Sequence, residues 1–183
     1  MTTSAVPNLT LADFQAALEN VRAVAIETPV MRSHHLSELT GTEVILKAEN
    51  LQRTGAYKLR GAYNRISKLT AAERKKGVVA ASAGNHAQGV ALAAKKLGIK
   101  ATIFMPVGAS LPKFQATQNY GAEVVLQGAV FAETLKAAQE YAVKTGAIFI
   151  APFDHADVVE GQGTVGLEIL EQVPQVDTIL VGI

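Results

Sequence analysis

The sequence predicts an α/β fold built around a four-stranded parallel sheet, and two observations lead to that prediction. From Gly77 onward, short apolar runs rich in β-branched residues alternate with alanine-rich segments of helical periodicity. Strands that alternate with helices in this way form parallel sheets through right-handed crossover connections. The segments before and after this region lack the regular alternation, which indicates a different arrangement there.

The strands and helices of the sheet follow from local pattern. Buried parallel strands are short, continuous apolar runs, and such runs occupy 78–82, 100–106, 122–127 and 147–152. Between them, helical periodicity extends over 86–98, 110–121 and 130–146. Each helical segment closes with glycine, the residue that most easily adopts the left-handed conformation just past a helix end.

The segment before the sheet combines helices with one strand. Thr10 is expected to cap a helix over 11–25, with Asp13 in the third helical position as a variant of the capping box. Ser33 is expected to cap a short helix. Residues 42–50, “TEVILKAEN”, are predicted to form a strand.

The segment after the sheet is predicted to contain a helix over 161–173 and a buried strand over 176–183. A buried apolar strand is an unusual place for a chain to stop, because its last residues then lack a following loop. The sequence is therefore expected to be truncated.

Composition limits the class of protein. The 183 residues are 49% hydrophobic and 18% charged, as in a globular protein with a sizeable core. The 17 basic and 16 acidic residues nearly cancel, so net charge favours neither nucleic acid nor a membrane surface as a partner. The absence of cysteine excludes disulfides, thiolate metal sites and cysteine nucleophiles. With no signal peptide and no spanning apolar run, we expect a cytoplasmic protein.

The segment “TGAYKLRGAY” (54–63) surrounds Lys58 with small and aromatic residues. One interpretation is a lysine that forms a Schiff base, whose amine must be partly desolvated to attack a carbonyl. Gly55 and Gly61 would then let a planar cofactor approach the backbone. The alternative is a solvated lysine at the start of an amphipathic helix. Taken alone the segment favours this alternative, because lysines rarely lie in protein interiors.

The segment “SAGNHAQG” (82–89) follows a predicted strand and opens a predicted helix. The free N–H groups and the dipole of a helix N-terminus attract anions, and Ser82, Asn85 and His86 add side-chain donors at the same place. The glycine spacing matches neither a dinucleotide fingerprint nor a P-loop, so a carboxylate is the expected ligand. Alternatively, Ser82 and Asn85 only cap the helix.

Other polar residues carry weaker signals. His34 and His35 are expected on an exposed helix and His155 in a surface loop, and no histidine pair has zinc spacing with a third ligand, so no metal site is predicted. The glycines of “EGQGTVG” (160–166) favour close chain packing, with Gln162 as an outside candidate for ligand binding.

Several motifs together resemble one family. They are “LKAENLQRTGAYKLRGAYN” (46–64), “VVAASAGNHAQGVALAAKKLG” (78–98), “IFMPVGASLPK” (103–113), “GAEVVLQG” (121–128) and “EGQGTVGLEIL” (160–170). The sequence strongly resembles the threonine dehydratase (threonine ammonia-lyase) family, of the catabolic type. These are pyridoxal-phosphate enzymes of the tryptophan-synthase-β-like group, fold type II. The resemblance extends from about residue 10 to the last residue.

The resemblance implies a two-domain architecture and a reaction. Residues 77–150 would form a small α/β domain inserted between two pieces of a larger α/β domain, 1–76 and 151–183, the second cut short. Pyridoxal 5'-phosphate would lie in the cleft between the domains. The implied activity is the dehydration and deamination of L-threonine, and of L-serine, to a 2-oxo acid and ammonia, in amino-acid metabolism, as part of isoleucine or threonine catabolism.

The resemblance also assigns residues. Lys58 would bind the cofactor's aldehyde through its amine and then remove the Cα proton of the substrate. Asn85 would hydrogen-bond the ring hydroxyl of the cofactor, and Tyr57 would pack near the ring. The substrate carboxylate would be held at the helix N-terminus by the segment made of Ser82, Ala83, Gly84, Asn85 and His86.

Two alternatives to a threonine dehydratase are a serine racemase and a chain without catalytic activity. Serine racemases usually place a second serine where Ala83 stands, and alanine has no proton to give to the opposite face of Cα, so elimination with little racemisation is expected. Sulfide-using synthases carry threonine in place of His86. The family's glycine-rich phosphate loop would follow Ile183, so a chain that binds only a ligand or a partner subunit is the second alternative.

Regulation and assembly are implied by the same resemblance. The catabolic enzymes are activated by a nucleoside monophosphate such as AMP. The matching effector positions are Arg53, Thr54, Gln88 and Asn119, although an acidic residue is expected at the last of these. The parent protein is expected to be a homo-oligomer, either a dimer or a tetramer.

Overall fold

The computed structural model describes residues 8–182. Its α-helices are α1 Leu11–Val21, α2 His34–Thr40, α3 Lys58–Ser67, α4 Ala71–Lys76, α5 Asn85–Lys96, α6 Leu111–Asn119, α7 Phe131–Thr145 and α8 Ala156–Gln172. Its β-strands are β1 Val30–Arg32, β2 Ile45–Lys47, β3 Val78–Ala81, β4 Ala101–Met105, β5 Glu123–Leu126 and β6 Ile148–Phe149. A 3₁₀ turn, Glu49–Leu51, follows β2.

The parallel sheet has the strand order β5-β4-β3-β6, which confirms the predicted α/β fold. Val79 of β3 is paired with Thr102 of β4 on one side and with Phe149 of β6 on the other. Successive residues of β3 and β4 face opposite sides of the sheet. Val78, Ala80, Ile103 and Met105 belong to the core that contains α3 and α5, whereas a second core contains Val79, Ala81, Phe104 and residues of α7.

The predicted helix ends agree with the structure at most positions. Thr10 is the N-cap of α1, and its N–H donates to the Asp13 carboxylate at 2.7 Å, as in a capping box. Ser33 caps α2 by accepting the Leu36 N–H. The three glycines after α5, α6 and α7 all have positive φ, as predicted: Gly98, Gly121 and Gly146. α1 ends four residues earlier than predicted, in turns.

Two predicted strands were wrong in length or absent. Only residues 45–47 of the predicted strand 42–50 are extended, and they pair antiparallel with β1, which was not predicted. Residues 176–182 are irregular, and Ile179, Leu180 and Val181 are exposed. A strand requires a neighbour for its N–H and C=O groups, and none lies beside this segment within residues 8–182. Ile183 lies outside the described residues.

The last helix starts earlier than predicted. α8 begins at Ala156, and the His155 ring Nδ1 accepts the Asp157 N–H at 3.2 Å as the N-cap. His155 itself lies in the bends that precede the helix, where Phe153 is exposed, so the prediction of a surface loop at His155 is confirmed. The glycines at 161, 163 and 166 are helical, as predicted, and the first two lie where the helix packs closely on its neighbours.

Helices α1, α3 and α8 form a second packed layer. A Cβ added to Gly161 would lie 2.6 Å from Gly61 Cα, and one added to Gly61 would lie 2.7 Å from the Val158 carbonyl oxygen. The two glycines therefore allow α3 and α8 to touch, which confirms the packing interpretation of the 160–166 segment. The expectation that Gly61 serves the approach of a cofactor was wrong, because its face is covered by α8.

Residues 8–182 include no helix that is long and apolar enough to cross a membrane. The division into domains at residues 76 and 150 stays a prediction.

Candidate active site

The turn between β3 and α5 presents backbone N–H groups at the carboxyl edge of the sheet. Ser82 N–H donates to the Phe104 carbonyl at 3.0 Å, and its hydroxyl accepts the Gly84 N–H at 3.2 Å. Gly84 is the N-cap of α5, and Asn85, the first helical residue, is exposed. The first N–H groups of a helix lack intrahelical partners, and the role of this turn as an anion site stays a prediction.

Lys58 is the first residue of α3 and is half-buried. Its Nζ donates to the Pro152 carbonyl at 3.2 Å and lies 5.3 Å from the centroid of the Tyr57 ring. The main chain of Lys58 runs against Gly89 of α5, where an added Cβ would lie 3.1 Å from the Lys58 carbonyl. The structure thus brings Lys58 beside the first turns of α5, near the Ser82–Asn85 turn.

His86 is the second helical residue of α5 and is only 4% exposed. Its Nε2 lies 3.0 Å from the Ile150 carbonyl oxygen, and a carbonyl can only accept, so Nε2 carries the proton. The other ring nitrogen, Nδ1, is buried without a hydrogen-bond partner among residues 8–182. Burial lowers the pKa of His86 to about 4, and the charge of Lys58 acts in the same direction.

The segment after β6 anchors both of these side chains, and sequence reasoning missed it. The carbonyl of Ile150 binds His86, and the carbonyl of Pro152 binds Lys58. Every residue has such a carbonyl, so the residue types carry no signal. The segment could have been predicted only from the rule that the carboxyl ends of parallel strands lie at the same edge of a sheet, where ligands bind.

The other residues singled out in the sequence lie partly in the turn before α5 and partly elsewhere in the fold. Ala83 is half-buried and packs on the core that includes α5. Gln162 accepts the Gly61 N–H at 3.2 Å through Oε1, a bond between α8 and α3 that accounts for it without a ligand. His34 and His35 are exposed on α2, as predicted. Residues 8–182 hold no cluster of three or more His, Cys, Asp or Glu suited to a metal ion.

Two of the predicted effector positions, Arg53 and Thr54, lie in the loop before α3, whereas Gln88 is on α5 and Asn119 ends α6. Arg53 Nε donates to the Val24 carbonyl at 2.7 Å, and the hydroxyl of Tyr120, which follows Asn119, donates to the Arg53 carbonyl at 2.9 Å. Thr54 is buried and its hydroxyl donates to the Ala56 carbonyl. Asn119 is exposed at the end of α6, and Gln88 of α5 is half-buried. Their role as an effector site stays a prediction.

Comparison with known proteins identifies the family. The family model described as “Pyridoxal-phosphate dependent enzyme” matches residues 21–183. The chain belongs to this family. The residues present fit the cofactor: the Lys58 amine is held by the Pro152 carbonyl, and its charge acts on His86 in the first turn of α5.

Individual relatives are similar over nearly the whole chain. L-threonine ammonia-lyase of Thermotoga maritima is 53% identical over 94% of this chain and 43% of its own length. L-threonine dehydratase catabolic TdcB of Escherichia coli is 47% identical over 93% of this chain and 52% of its own length. The chain therefore spans about half the length of these relatives.

Solved structures of the family share the fold. The processed form of threonine deaminase isoform 2 from Solanum lycopersicum has a TM-score of 0.82 and 42% identity, and covers 90% of this chain and 47% of its own. Maize serine racemase has a TM-score of 0.88 and 37% identity, and covers 91% of this chain and 50% of its own.

Proposed function

We propose that the protein is a pyridoxal-phosphate-dependent threonine ammonia-lyase of fold type II. It converts L-threonine, and L-serine as a second substrate, to a 2-oxo acid and ammonia by β-elimination. The observation that carries this proposal is the 53% identity to an L-threonine ammonia-lyase over 94% of the chain. The structure supports it because Lys58 lies beside the helix N-terminus expected to bind a carboxylate.

In this proposal Lys58, Asn85 and Tyr57 hold the cofactor, and Lys58 also acts as the catalytic base. Lys58 binds the aldehyde of pyridoxal phosphate and removes the Cα proton of the substrate through its Nζ. Asn85 binds the ring hydroxyl, and Tyr57 packs near the ring. When bound, the cofactor supplies an electron sink for the bond broken at Cα.

The substrate carboxylate is held at the N-terminus of α5, within the segment Ser82–His86. The free N–H groups there are fixed by the helix and need little reorganisation to meet a negative charge. The Pro152 carbonyl accepts a hydrogen bond from the Lys58 amine at 3.2 Å, and it thereby holds the amine next to this carboxylate site.

Further features belong to the same proposal. The protein acts in the cytoplasm, in isoleucine or threonine catabolism, as a dimer or tetramer. AMP activates it through Arg53, Thr54, Gln88 and Asn119. An activity unaffected by AMP would remove the regulatory part and leave the catalytic part standing.

The first experiment is an absorption spectrum of the purified protein with pyridoxal phosphate, repeated after borohydride reduction and followed by peptide mapping. We expect a visible band and a reduced label on Lys58, together with 2-oxo acid formation from L-threonine. Lys58→Ala should abolish both label and turnover. Lys96→Ala is the matched control, because Lys96 is exposed at the far end of α5; it should change neither.

Two outcomes would contradict the proposal. Turnover that survives Lys58→Ala would remove Lys58 from catalysis, and a label on another lysine would place the cofactor elsewhere. Absence of a band in the wild-type protein would favour the second candidate, a chain that binds only a ligand or a partner subunit.

A serine racemase is the alternative within the family, and the 37% identity to maize serine racemase favours its consideration. Ala83 argues against it, because alanine has no proton to deliver to Cα. We expect little D-serine from the wild-type protein and more from Ala83→Ser, measured by chiral chromatography. Equal D-serine formation by the two proteins would contradict this argument.

A further inference from the structure

The ring of His86 has one nitrogen whose partner is missing. Nε2 donates to the Ile150 carbonyl, so Nδ1 carries a lone pair and can only accept a hydrogen bond. This nitrogen is buried and no donor among residues 8–182 reaches it. Buried polar atoms in native proteins nearly always have a partner, and those that do not call for a specific explanation. A donor supplied by a ligand would be such an explanation.

The position of the ring indicates which ligand. His86 lies in the first turn of α5, where the carboxylate is proposed to bind, and close enough to Lys58 for the lysine charge to act on its pKa. The carboxylate itself cannot be the partner of Nδ1, because both groups are acceptors. In the proposed function the amine of the substrate would be taken up by the aldehyde of the cofactor and would not be available to Nδ1. In a β-hydroxy amino acid the donor that remains is the hydroxyl group.

We infer that the side chain of His86 is a substrate-binding group whose Nδ1 accepts a hydrogen bond from the β-hydroxyl of the amino acid. This inference rests on the proposed function and adds a specificity determinant to it. The contact involves no proton transfer from His86. It selects hydroxyl-bearing amino acids, because a substrate without the hydroxyl leaves Nδ1 unpartnered, and sites built around a polar group reject analogues that lack its partner.

Two substitutions separate the two ring nitrogens. The amide of glutamine takes the place of Nε2 and keeps a donor for the Ile150 carbonyl, whereas the amide oxygen of asparagine takes the place of Nδ1. His86→Gln should therefore lose the contact with the hydroxyl, and His86→Asn should keep an acceptor for it. Thermal melting of both variants checks that the fold is intact.

The test measures binding with turnover removed. In a Lys58→Ala background loaded with pyridoxal phosphate, dissociation constants are measured by titration for L-threonine and for L-2-aminobutyrate, which lacks the hydroxyl. With His86 present we expect L-threonine to bind about tenfold more tightly, the value of one hydrogen bond. The preference should vanish in His86→Gln and be largely kept in His86→Asn.

A spectroscopic readout on unmutated His86 completes the test. The sequence has only 4 histidines, so ¹⁵N-histidine labelling gives few ring signals to assign. The Nδ1 resonance should have the position of an unprotonated nitrogen, and it should move on addition of L-threonine but stay in place with L-2-aminobutyrate.

Several results would overturn the inference. They are equal affinity for the two amino acids with His86 present, an unchanged preference in His86→Gln, and an Nδ1 resonance that responds equally to both. The proposed function is judged separately, by 2-oxo acid formation in the wild-type protein. An active enzyme with no role for Nδ1 is therefore distinguishable from a protein that is not a threonine ammonia-lyase.

Discussion

The two packed layers of the molecule are held together by different chemistry. In the sheet, β3 is made of valine and alanine alone, and all four of its residues are at most 2% exposed. In the layer of α1, α3 and α8, the largest fully buried side chain is that of Arg60, which is 0% exposed. One layer is thus stabilised mainly by apolar burial, and the other contains charges removed from water.

Arg60 lies at the centre of a buried ionic cluster, which we define as Arg60, Lys47, Glu49 and Glu168. Its guanidinium binds both carboxylates in a bidentate manner, at 2.9–3.0 Å for Glu49 and 2.6–2.9 Å for Glu168. Lys47 Nζ lies 2.7 Å from Glu168. The cluster has two positive and two negative charges and is therefore neutral when all four are ionised.

The pKa shifts of Arg60 and Glu168 both favour the charged form of the side chain. Burial opposes the charge on Arg60, but hydrogen bonds from it to Glu168 and Glu49 outweigh this effect, and the pKa of Arg60 is raised. Burial likewise acts to raise the pKa of Glu168, but hydrogen bonds from Arg60 and Lys47 lower it. Since Arg60 lies two residues after Lys58 in α3, the cluster also fixes the helix that carries the candidate catalytic lysine.

The comparison teaches that the two layers should respond differently to perturbation. Apolar burial is non-directional and tolerates change in proportion to the area lost. A buried ionic cluster depends on every member, because removing one partner leaves an uncompensated charge in a low-dielectric interior. Three experiments test this difference.

The largest expected effect is that of Arg60→Met. It leaves Glu49 and Glu168 facing each other in the interior with Lys47 as their remaining cation, so the free energy of unfolding should fall by about 3–5 kcal/mol. Chemical denaturation measures the change. The control is Arg32→Met, which removes an exposed ion pair with Glu43 and should cost less than about 1 kcal/mol. Equal costs for the two substitutions would contradict the comparison.

The next effect concerns the buried histidine beside the sheet. The pKa of His86 is lowered from 6.5 to about 4, chiefly by burial. Between these pH values the unfolded chain binds a proton that the folded chain does not. Stability should therefore fall as the pH is lowered through this window, by about 3 kcal/mol in total at ~1.4 kcal/mol per pH unit.

His86→Gln is the control for this pH dependence. The pKa of His155 is also lowered, chiefly by burial, and it contributes in the same direction in both proteins. The difference between the wild-type and His86→Gln curves of unfolding free energy against pH therefore isolates His86. Parallel curves between pH 4 and 6.5 would show that its pKa is not depressed.

The smallest expected effect tests the contact of α3 with α8. In Gly161→Ala the new Cβ would meet Gly61 Cα at 2.6 Å and the Arg60 carbonyl oxygen at 2.7 Å. We expect a loss of about 1–3 kcal/mol from overpacking, measured by thermal and chemical denaturation.

Gly166 provides a matched control within the same helix. A Cβ added there meets no atom within 4 Å, so Gly166→Ala should stabilise the protein by about 0.5–1 kcal/mol, the usual gain of alanine over glycine in a helix. If both substitutions stabilise, the close approach of α3 and α8 is not needed.

The sheet could be predicted well because its signals are local. The runs at 78–82, 100–106 and 122–127 were recognised from their apolar character alone, and three helix ends from their glycines. The run 147–152 contributes only Ile148–Phe149 to the sheet, because pairing, and not hydrophobicity, sets where a strand ends. The start of α8 was missed because its N-cap is His155, and histidine is not among the residues that usually mark a helix N-terminus.

The layer with the ionic cluster could not be predicted in the same way. Arginine, lysine and glutamate usually lie at the surface, so nothing local marks Arg60 or Glu168 as interior residues. Their burial depends on partners far apart in the sequence, since Glu168 binds both Lys47 and Arg60. For the candidate site, the resemblance selected Lys58 and the Ser82–His86 turn, but not the carbonyls of Ile150 and Pro152.

The sequence by itself determined the parallel α/β class, the family and the residue types that meet at the turn before α5, because periodicity, caps and motifs are encoded within short segments. Only the tertiary structure decided that Lys58 lies against Gly89, that His86 donates to Ile150 through Nε2, and that no donor among residues 8–182 reaches its Nδ1. Those relations join positions far apart in the chain through main-chain atoms, which are alike in every residue. Packing, and not residue type, therefore selects which of them meet.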